Sequence, residues 1–324
     1  MGCRRRRLWG AGSLVVSAWL AVLGIAPSAA GAILAVPPVT AVPARTDTHP
    51  VSSLAAMEGV ILRPLTVLRT PGETGAVVAH RGHSSVAPEN TMPAVLSSIS
   101  SGAEYVEIDI RMSADGVPVV IHDETVDRTT DGSGVVAEMT LAQLRGLDAG
   151  AWWSDDFAGA RIPTLREVLD VVAGSDIDLI VEYKGTWTRA EVRTTVDLLT
   201  AYGLRRSVIA QSFSEKTAAN IVRTAPGLRV GLLTHVMDPA TIAEAVSIGA
   251  HAVNARRVTA RGVALAHRAG LGVLAWTPDT EDDWEMLTRM GVDGIITNRP
   301  DALREWVRTK EKAPGWSPGP SDQA

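Results

Sequence analysis

The chain has 324 residues, of which 46% are apolar, and it carries a formal net charge of −5. That apolar content suffices for a full core in one large or two ordinary domains, so it excludes disorder over most of the chain. The single cysteine, Cys3, excludes an intramolecular disulfide and a cysteine-based zinc site.

The N-terminus predicts a secretory signal peptide over residues 1–32. Four arginines at 4–7 precede an apolar run at 8–26, and small residues ending in Ala-Gly-Ala at 30–32 follow it. A retained membrane anchor is the alternative, because the apolar run nearly reaches the length of a spanning helix. In either case we expect a secreted or extracytoplasmic protein, with membrane contact only through this segment or a lipid-derived substrate.

Cleavage there would remove four of the 31 basic residues and none of the 36 acidic residues, leaving a net charge of −9. A chain that acidic does not bind nucleic acid through bulk electrostatics, so we expect no nucleic-acid partner. Any phosphate that it handles must meet local cations or a metal ion.

Three segments follow the signal sequence. Residues 33–75 are rich in Pro and Ala without a sustained period, which predicts a linker and lead-in. Residues 76–312 are expected to form one domain. Residues 313–324, rich in Pro, Gly and Ser, predict a disordered tail.

Within 76–312, short apolar runs alternate with helical stretches. The predicted strands are 77–79, 105–110, 179–182, 208–211, 229–233, 252–254, 273–275 and 295–297. The predicted helices are 92–101, 165–173, 189–202, 215–224, 239–248, 261–269, 281–290 and 300–307. Eight strand and helix pairs in this length predict a (β/α)8 TIM barrel.

A doubly wound open sheet has the same alternation. Against it, no Gly-rich turn follows the first strand, and polar residues end nearly every strand rather than marking one switch point.

Residues 123–163 interrupt the alternation after the second strand. They contain a short helix at 141–144 and the aromatic sequence AWWSDDF, and an extra strand at 119–121 lies just upstream. We expect this insertion to shape substrate access.

Carboxylates gather at the predicted strand ends. Glu107 and Asp109 are two residues apart on one strand and therefore point to the same face, while Glu182 ends the third strand and Lys184 follows it. Three such carboxylates repel one another unless a cation is present, and all-oxygen ligation favours Ca²⁺ or Mg²⁺. Salt bridges to arginines and lysine are an equal alternative on spacing alone.

Two histidines flank these carboxylates. His80 ends the first strand and His122 ends the extra strand. Phosphodiester cleavage needs one group to accept a proton and another to protonate the leaving oxygen, and histidine does both near neutral pH. Arg81, beside His80, has a guanidinium suited to a phosphate.

Nine short motifs stand in the order seen in glycerophosphodiester phosphodiesterases, which the chain resembles over about residues 76–308. They are HRG at 80–82, PENT at 88–91, E-x-D at 107–109, DGVPVVIHD at 115–123, RTT-x-G-x-G at 128–134, IPTL at 162–165, E-x-K at 182–184, QSF at 211–213 and GVDGIIT at 291–297. The resemblance implies a metal-dependent hydrolase that splits small-molecule glycerophosphodiesters into sn-glycerol 3-phosphate and an alcohol, and the predicted signal peptide implies that it is exported.

The resemblance also implies a role for each matching position. It implies catalytic acid and base at His80 and His122, metal ligands at Glu107, Asp109 and Glu182, phosphate-binding cations at Arg81 and Lys184, a substrate-wall aromatic at Trp276, and support from Glu89 and Asn90.

Two positions depart from the family pattern. Thr-Pro-Asp stands at 277–279 where the family more often has Thr-Val-Asn, and Asn298 stands where Asp is common. Since both lie at the predicted rim, we expect them to affect the alcohol pocket rather than the phosphodiester chemistry.

Three other functions remain open. A phospholipase D-like activity on lysophospholipid or sphingomyelin would use the insertion aromatics, Trp152, Trp153 and Phe157, as an acyl entry. A non-catalytic ligand-binding barrel is less consistent with a complete set of motifs. A glycosidase would use paired carboxylates but would leave the histidines unexplained.

Overall fold

A computed structural model describes residues 68–312. The predicted signal peptide, most of the predicted linker, the predicted tail and Cys3 lie outside the described residues. No helix within residues 68–312 combines the length and the apolar character needed to cross a membrane.

Nine strands and nine α-helices follow one another within the described residues. The strands are β1 (Ala76–Ala79), β2 (Tyr105–Met112), β3 (Pro118–Val120), β4 (Asp178–Tyr183), β5 (Val208–Ser212), β6 (Arg229–Val236), β7 (Ala252–Arg257), β8 (Gly272–Trp276) and β9 (Gly294–Thr297). The helices are α1 (Met92–Ser101), α2 (Leu141–Gly146), α3 (Leu165–Val172), α4 (Arg189–Ala201), α5 (Glu215–Thr224), α6 (Pro239–Ile248), α7 (Ala260–Arg268), α8 (Glu281–Met290) and α9 (Pro300–Glu311).

Eight of the strands form a closed parallel barrel. β1 pairs in parallel with β2 on one side and with β9 on the other, which closes the sheet. β3 is the exception, since it pairs antiparallel with the end of β2. The predicted TIM barrel is confirmed, and closure places the C-terminal ends of β1 and β9 side by side, with Ala79 opposite Thr297.

Alternation along the strands separates two apolar layers. Six residues fill the barrel interior, namely Val78, Ile180, Ile209, Ala252, Leu274 and Ile296. The larger cluster, which includes Ile108 and Val181, packs the outer face of the barrel against the helices. Glu107, Asp109 and Glu182 alternate with those outward residues, so they point into the barrel as the spacing predicts.

A glycine makes room for a buried amide in the interior. A Cβ at Gly231 would lie 2.6 Å from Asn254 Nδ2, closer than real Cβ contacts allow. Asn254 donates from Nδ2 to Gln211 Oε1 at 2.7 Å, and Gln211 Nε2 lies 3.4 Å from Glu107 Oε1. The interior therefore becomes polar towards the carboxylates.

Capping residues define the ends of several helices. Thr188 forms a capping box with Glu191 at the start of α4, and Asp238 accepts from Thr241 N at the start of α6. Gly203 and Gly270 follow their helices with φ of 70° and 74°. α9 continues to Glu311 rather than ending at the last apolar residue, because nothing in its polar final turn interrupts a helix.

The insertion has its own small core. Val119, Ile121, Val126, Val136, Leu144, Ala149 and Ile162 are buried together there. Val119 also bridges to Thr164, which attaches the insertion to the start of α3. This packing holds the segment that carries His122 against the end of β2.

Candidate active site

The C-terminal end of the barrel opens into a cleft of about 320 Å³. Its lining comprises His80, Arg81, Glu107, His122, Glu182, Lys184, Gln211, Phe213, Leu233, His235, Trp276, Thr277 and Ile296. The structure therefore brings together seven of the ten predicted site residues. The other three, Asp109, Asn90 and Glu89, lie directly behind this lining and bond to it.

Three buried carboxylates cluster at the cleft, with Glu107 and Glu182 in its lining and Asp109 behind it. Oxygen atoms of Glu107, Asp109 and Glu182 lie within 4.8 Å of one another. Burial, reinforced by the neighbouring carboxylates, raises the pKa of Glu107 well above its usual range and the pKa of Glu182 to about 7. A bound cation would neutralise the repulsion between these carboxylates and favour their ionised form. The cluster could therefore hold a divalent metal, and its oxygen ligands suit the hard ions Ca²⁺ and Mg²⁺.

Lys184 and Arg81 also contact this cluster. Lys184 Nζ lies 2.6 Å from Glu182 Oε1 and 3.6 Å from Asp109 Oδ1, and Arg81 Nε lies 3.4 Å from Asp109 Oδ2. Burial alone would raise the pKa of Asp109, but these two cations hold it below its usual value. The salt bridges and the metal-ligand set are therefore not exclusive alternatives.

The HRG turn is shaped to present its side chains. Arg81 and Asn90 are the non-glycine residues with positive φ within residues 68–312, at 55° and 58°. Such backbone strain is kept where the surroundings determine it. At Gly82, with φ of 80°, a Cβ would lie 2.7 Å from Ala94, so only glycine fits this turn.

Asn90 and Glu89 support the cleft from outside. Asn90 Nδ2 donates to Asp109 Oδ2 at 2.8 Å, and its Oδ1 accepts from Asp109 N at 3.0 Å. Glu89 accepts from Arg81 Nη1 at 2.8 Å and from both terminal nitrogens of Arg128. Glu89 thus orients Arg81 and is not part of the carboxylate cluster.

His80 and His122 have different partners on Nδ1. His80 Nδ1 lies 2.7 Å from the amide oxygen of Asn298, whereas His122 Nδ1 lies 2.6 Å from the carboxylate of Asp123. Desolvation and the Arg81 guanidinium lower the pKa of His80 to about 4. Desolvation also lowers the pKa of His122, although the carboxylates of Asp109 and Asp123 oppose that effect.

An aromatic wall forms one side of the cleft. Phe213, His235 and Trp276 lie with ring centroids 5.1 to 5.6 Å apart. Trp276 was predicted here, but Phe213 belonged to a motif with no assigned role and His235 had the sequence signal of an ordinary lone histidine. No insertion aromatic is among the residues that the structure places around the cleft.

Sequence reasoning also missed Asp123, Arg128 and Asn298. Asp123 and Arg128 stand inside recognised motifs, so their signal was present. Asn298 was expected to affect the alcohol pocket, and the structure also places its side chain in direct contact with His80. The closure of the barrel beside β1 explains this contact.

A closed (β/α)8 barrel with carboxylates, cations and histidines at the C-terminal ends of its strands is the architecture of a TIM-barrel enzyme, whose active site lies at those strand ends. The model of the Glycerophosphoryl diester phosphodiesterase family matches residues 80–302, and the chain belongs to this family.

Named relatives agree with that assignment. A glycerophosphodiester phosphodiesterase from Caldanaerobacter subterraneus subsp. tengcongensis is 36% identical over 240 residues, covering 72% of this chain and 97% of that protein. The crystal structure of a glycerophosphodiester phosphodiesterase from Agrobacterium tumefaciens is 31% identical with a TM-score of 0.63, covering 72% of this chain and 100% of that one. A phosphodiesterase from Oleispira antarctica, in complex with the product sn-glycerol-3-phosphate, is 27% identical with a TM-score of 0.69, covering 72% and 97%.

Proposed function

We propose that the protein is an exported, metal-dependent phosphoric diester hydrolase that splits glycerophosphodiesters into sn-glycerol 3-phosphate and an alcohol. The observation that carries this proposal is a single cleft lined by two histidines, each anchored through Nδ1, together with Arg81, Lys184, Glu107 and Glu182. The third buried carboxylate of the cluster, Asp109, lies directly behind this lining. Membership in the family and the product bound to the Oleispira relative agree with it.

Arg81 and Lys184 would bind the phosphate. Arg81 Nη1 donates to Glu89 Oε1 at 2.8 Å, and this hydrogen bond orients the guanidinium plane before substrate binds. Lys184 is mostly buried, with 11% of its side chain exposed, so its charge acts in low-polarity surroundings. Both cations stabilise charge that develops on the phosphate oxygens.

His80 would act as the general base. Its pKa of about 4 keeps the ring neutral near pH 7, and its Nε2 accepts from Arg81 Nε at 3.2 Å in the absence of substrate. A neutral ring with a lone pair facing the cleft can take the proton from the nucleophile, which is either water or the glycerol 2-hydroxyl. The oxygen then attacks phosphorus. When that oxygen is the 2-hydroxyl, the alcohol leaves a cyclic phosphate, which a water molecule must open in a second step to give sn-glycerol 3-phosphate.

His122 would act as the general acid. A carboxylate on Nδ1 stabilises the imidazolium, and the pKa of Asp123 itself is well below its usual range because of Arg128 and His122. A protonated Nε2 can donate to the leaving oxygen as the bond from phosphorus to the alcohol breaks. The aromatic wall would contact the departing alcohol.

Glu107, Asp109 and Glu182 would hold the divalent cation. When bound, it supplies further electrostatic stabilisation of the negative charge on the phosphate. Asn90 keeps Asp109 in place for this purpose by its paired hydrogen bonds. The acidic net charge of the chain makes such local cations necessary for an anionic substrate.

Turnover of glycerophosphocholine tests this function. We expect release of sn-glycerol 3-phosphate and choline, loss of activity in EDTA, recovery with Ca²⁺ or Mg²⁺, and a large loss of kcat in His80→Ala and in His122→Ala. Wild-type turnover in either variant would refute the proposed catalysis. Release of choline from micellar lysophospholipid in preference to the soluble substrate would support the phospholipase D-like alternative instead.

Export rests on the N-terminal sequence alone. Expression of the full chain followed by N-terminal sequencing of the extracytoplasmic protein should give a start near residue 33. Recovery of the intact N-terminus in the membrane fraction would support a retained anchor.

A further inference from the structure

A chain of hydrogen bonds connects the loop after β8 to His80. Asp279 Oδ1 accepts from Asn298 N at 2.8 Å and from Thr297 Oγ1 at 2.7 Å. Asp279 Oδ2 accepts from Asn298 Nδ2 at 2.6 Å. Asn298 Oδ1, at the other end of the same amide, lies 2.7 Å from His80 Nδ1. Two residues that depart from the family pattern are therefore direct hydrogen-bond partners.

This pattern determines which way the Asn298 amide faces. Carboxylate oxygens only accept hydrogen bonds, so the NH₂ group must face Asp279 and the carbonyl oxygen must face His80. Ser84 Oγ, which donates to Asn298 Oδ1 at 2.9 Å, agrees with that orientation. An amide oxygen also only accepts, so the proton of the neutral His80 ring must lie on Nδ1.

The same reasoning leaves Nε2 without a proton. Arg81 Nε, which is always a donor, lies 3.2 Å from Nε2 and can bond only to a lone pair there. A ring in this tautomer presents an acceptor to the cleft. The opposite tautomer would present a donor and could not remove a proton from a nucleophile.

We propose that Asn298 and Asp279 are positioning residues that hold His80 in the Nδ1–H tautomer, and that amide and carboxylate act as one unit. The proposal rests on the proposed function, in which His80 is the base. If the network only fastened the loops after β8 and β9, the tautomer of His80 would not depend on it.

Single exchanges break this unit in predictable ways. Asn298→Asp places two carboxylates against each other and removes the NH₂ donor that faces Asp279 Oδ2, so the hydrogen bond inside the unit is lost. The Asp279 carboxylate accepts three hydrogen bonds and donates none. In Asp279→Asn, one of its oxygens is replaced by an NH₂ group, which then faces another donor instead of accepting from it. The Asn298 amide is then free to rotate and offer NH₂ to His80.

The double exchange restores every contact. In Asp279→Asn/Asn298→Asp, the new amide donates to the new carboxylate and still accepts from Thr297 Oγ1. The new carboxylate accepts from Ser84 Oγ and from His80 Nδ1–H. The tautomer of His80 is the same as in the natural chain.

Steady-state kinetics of the metal-loaded protein test the unit. We expect each single variant to lose kcat by about 10- to 100-fold with little change in KM, since loss of such supporting hydrogen bonds has effects of this size. We expect the double variant to return to within about threefold of the natural enzyme, as coupled neighbours are strongly non-additive. Losses that multiply in the double variant, or single variants with natural kcat, would overturn the proposal.

A matched control and an independent readout keep the result interpretable. Asp238→Asn makes the same change at the N-cap of α6, outside the cleft, and should retain natural kcat. If a single variant unfolds, ¹⁵N NMR of the histidine ring nitrogens in the natural, Mg²⁺-loaded protein decides. A protonated Nδ1 on His80 supports the proposal, and a neutral ring protonated on Nε2 overturns it.

The two proposals fail separately. Natural turnover in His80→Ala would remove the catalytic role of His80 but would leave the measured tautomer unchanged. An Nε2–H tautomer with inactive His80→Ala would reject the positioning unit and retain the catalytic role.

Discussion

Arg128 donates two hydrogen bonds to the carboxylate of Glu89, from Nη1 at 2.9 Å and from Nη2 at 2.7 Å. Its Nε donates to Asp123 Oδ2 at 2.6 Å. Glu89 in turn accepts from Arg81, and Asp123 accepts from His122. One guanidinium thus connects the segment that carries the proposed acid, His122, to the turn that carries Arg81, the proposed phosphate-binding arginine.

Replacement of Arg128 by lysine should lower kcat by about 10-fold or more, the size typical of lost supporting contacts. Lysine keeps the charge but cannot bond to both carboxylates in a fixed plane. Rates on glycerophosphocholine measure the effect. Arg289→Lys, at an exposed arginine paired with Glu285, should retain natural kcat, and equal rates in the two variants would contradict the linkage.

Metal affinity should fall as the pH falls below 7. Burial raises the pKa of Glu182 from 4.5 to about 7, so the metal-free folded state holds more protons than the unfolded chain between these values. The stability that Glu182 contributes is therefore present at low pH and is lost as the pH rises through 7. A cation must displace this proton, so we expect about a tenfold loss of affinity per pH unit below 7.

Calorimetric titration with Mg²⁺ or Ca²⁺ measures this linkage. Repeating it in two buffers of different ionisation enthalpy should show more protons released at pH 6 than at pH 8. Glu182→Gln should bind more weakly with a shallower pH dependence, whereas Glu285→Gln, on the exposed face of α8, should behave as the natural protein. Equal affinity at both pH values would contradict the pKa assignment.

Asp123→Asn should move the alkaline limb of the kcat profile to lower pH. Desolvation lowers the pKa of His122, and the Asp123 carboxylate is one of the groups that raise it. Its removal lowers this pKa further, so the proposed acid loses its proton at a lower pH and kcat at neutral pH falls.

The pH dependence of kcat from pH 5 to 9 gives the position of that limb. Asp127→Asn changes an exposed aspartate of the same segment, which accepts from Gly134 N, and should leave the limb in place. An alkaline limb that stays fixed or moves upward in Asp123→Asn would show that His122 is not the acid.

The barrel and the identity of the main site residues were predictable because they follow from local pattern. Glu107 and Asp109 lie on the same face of their strand because side chains alternate along a strand, and eight strand and helix pairs predict a (β/α)8 barrel. The partners of His80 were not predictable in the same way. Asn298 is 218 residues away in the chain and reaches His80 only because β9 closes the barrel against β1. His235 was not predictable either, because its ring contacts Phe213, just after β5, and Trp276, at the end of β8, which are distant in the sequence.

Phe213→Ala should raise KM for glycerophosphocholine with little change in kcat. Phe213 is 40% exposed in the cleft and lies 5.6 Å from Trp276, so its ring offers surface to the alcohol in the ground state and in the transition state alike. Loss of such uniform binding raises KM alone, and an aromatic contact of about 0.5–1.5 kcal/mol corresponds to roughly a 2- to 10-fold change. The methyl ester of glycerol phosphate, whose alcohol is too small to reach the wall, should be hydrolysed with unchanged KM.

Trp153→Ala is the matched control for that variant. Trp153 is exposed to a similar degree, at 38%, but it packs edge-on against Phe157 in the insertion and does not line the cleft. It should leave KM for glycerophosphocholine unchanged. A selective loss of turnover on micellar lysophospholipid in Trp153→Ala would assign the insertion to acyl binding, while unchanged KM in Phe213→Ala would place the alcohol away from the aromatic wall.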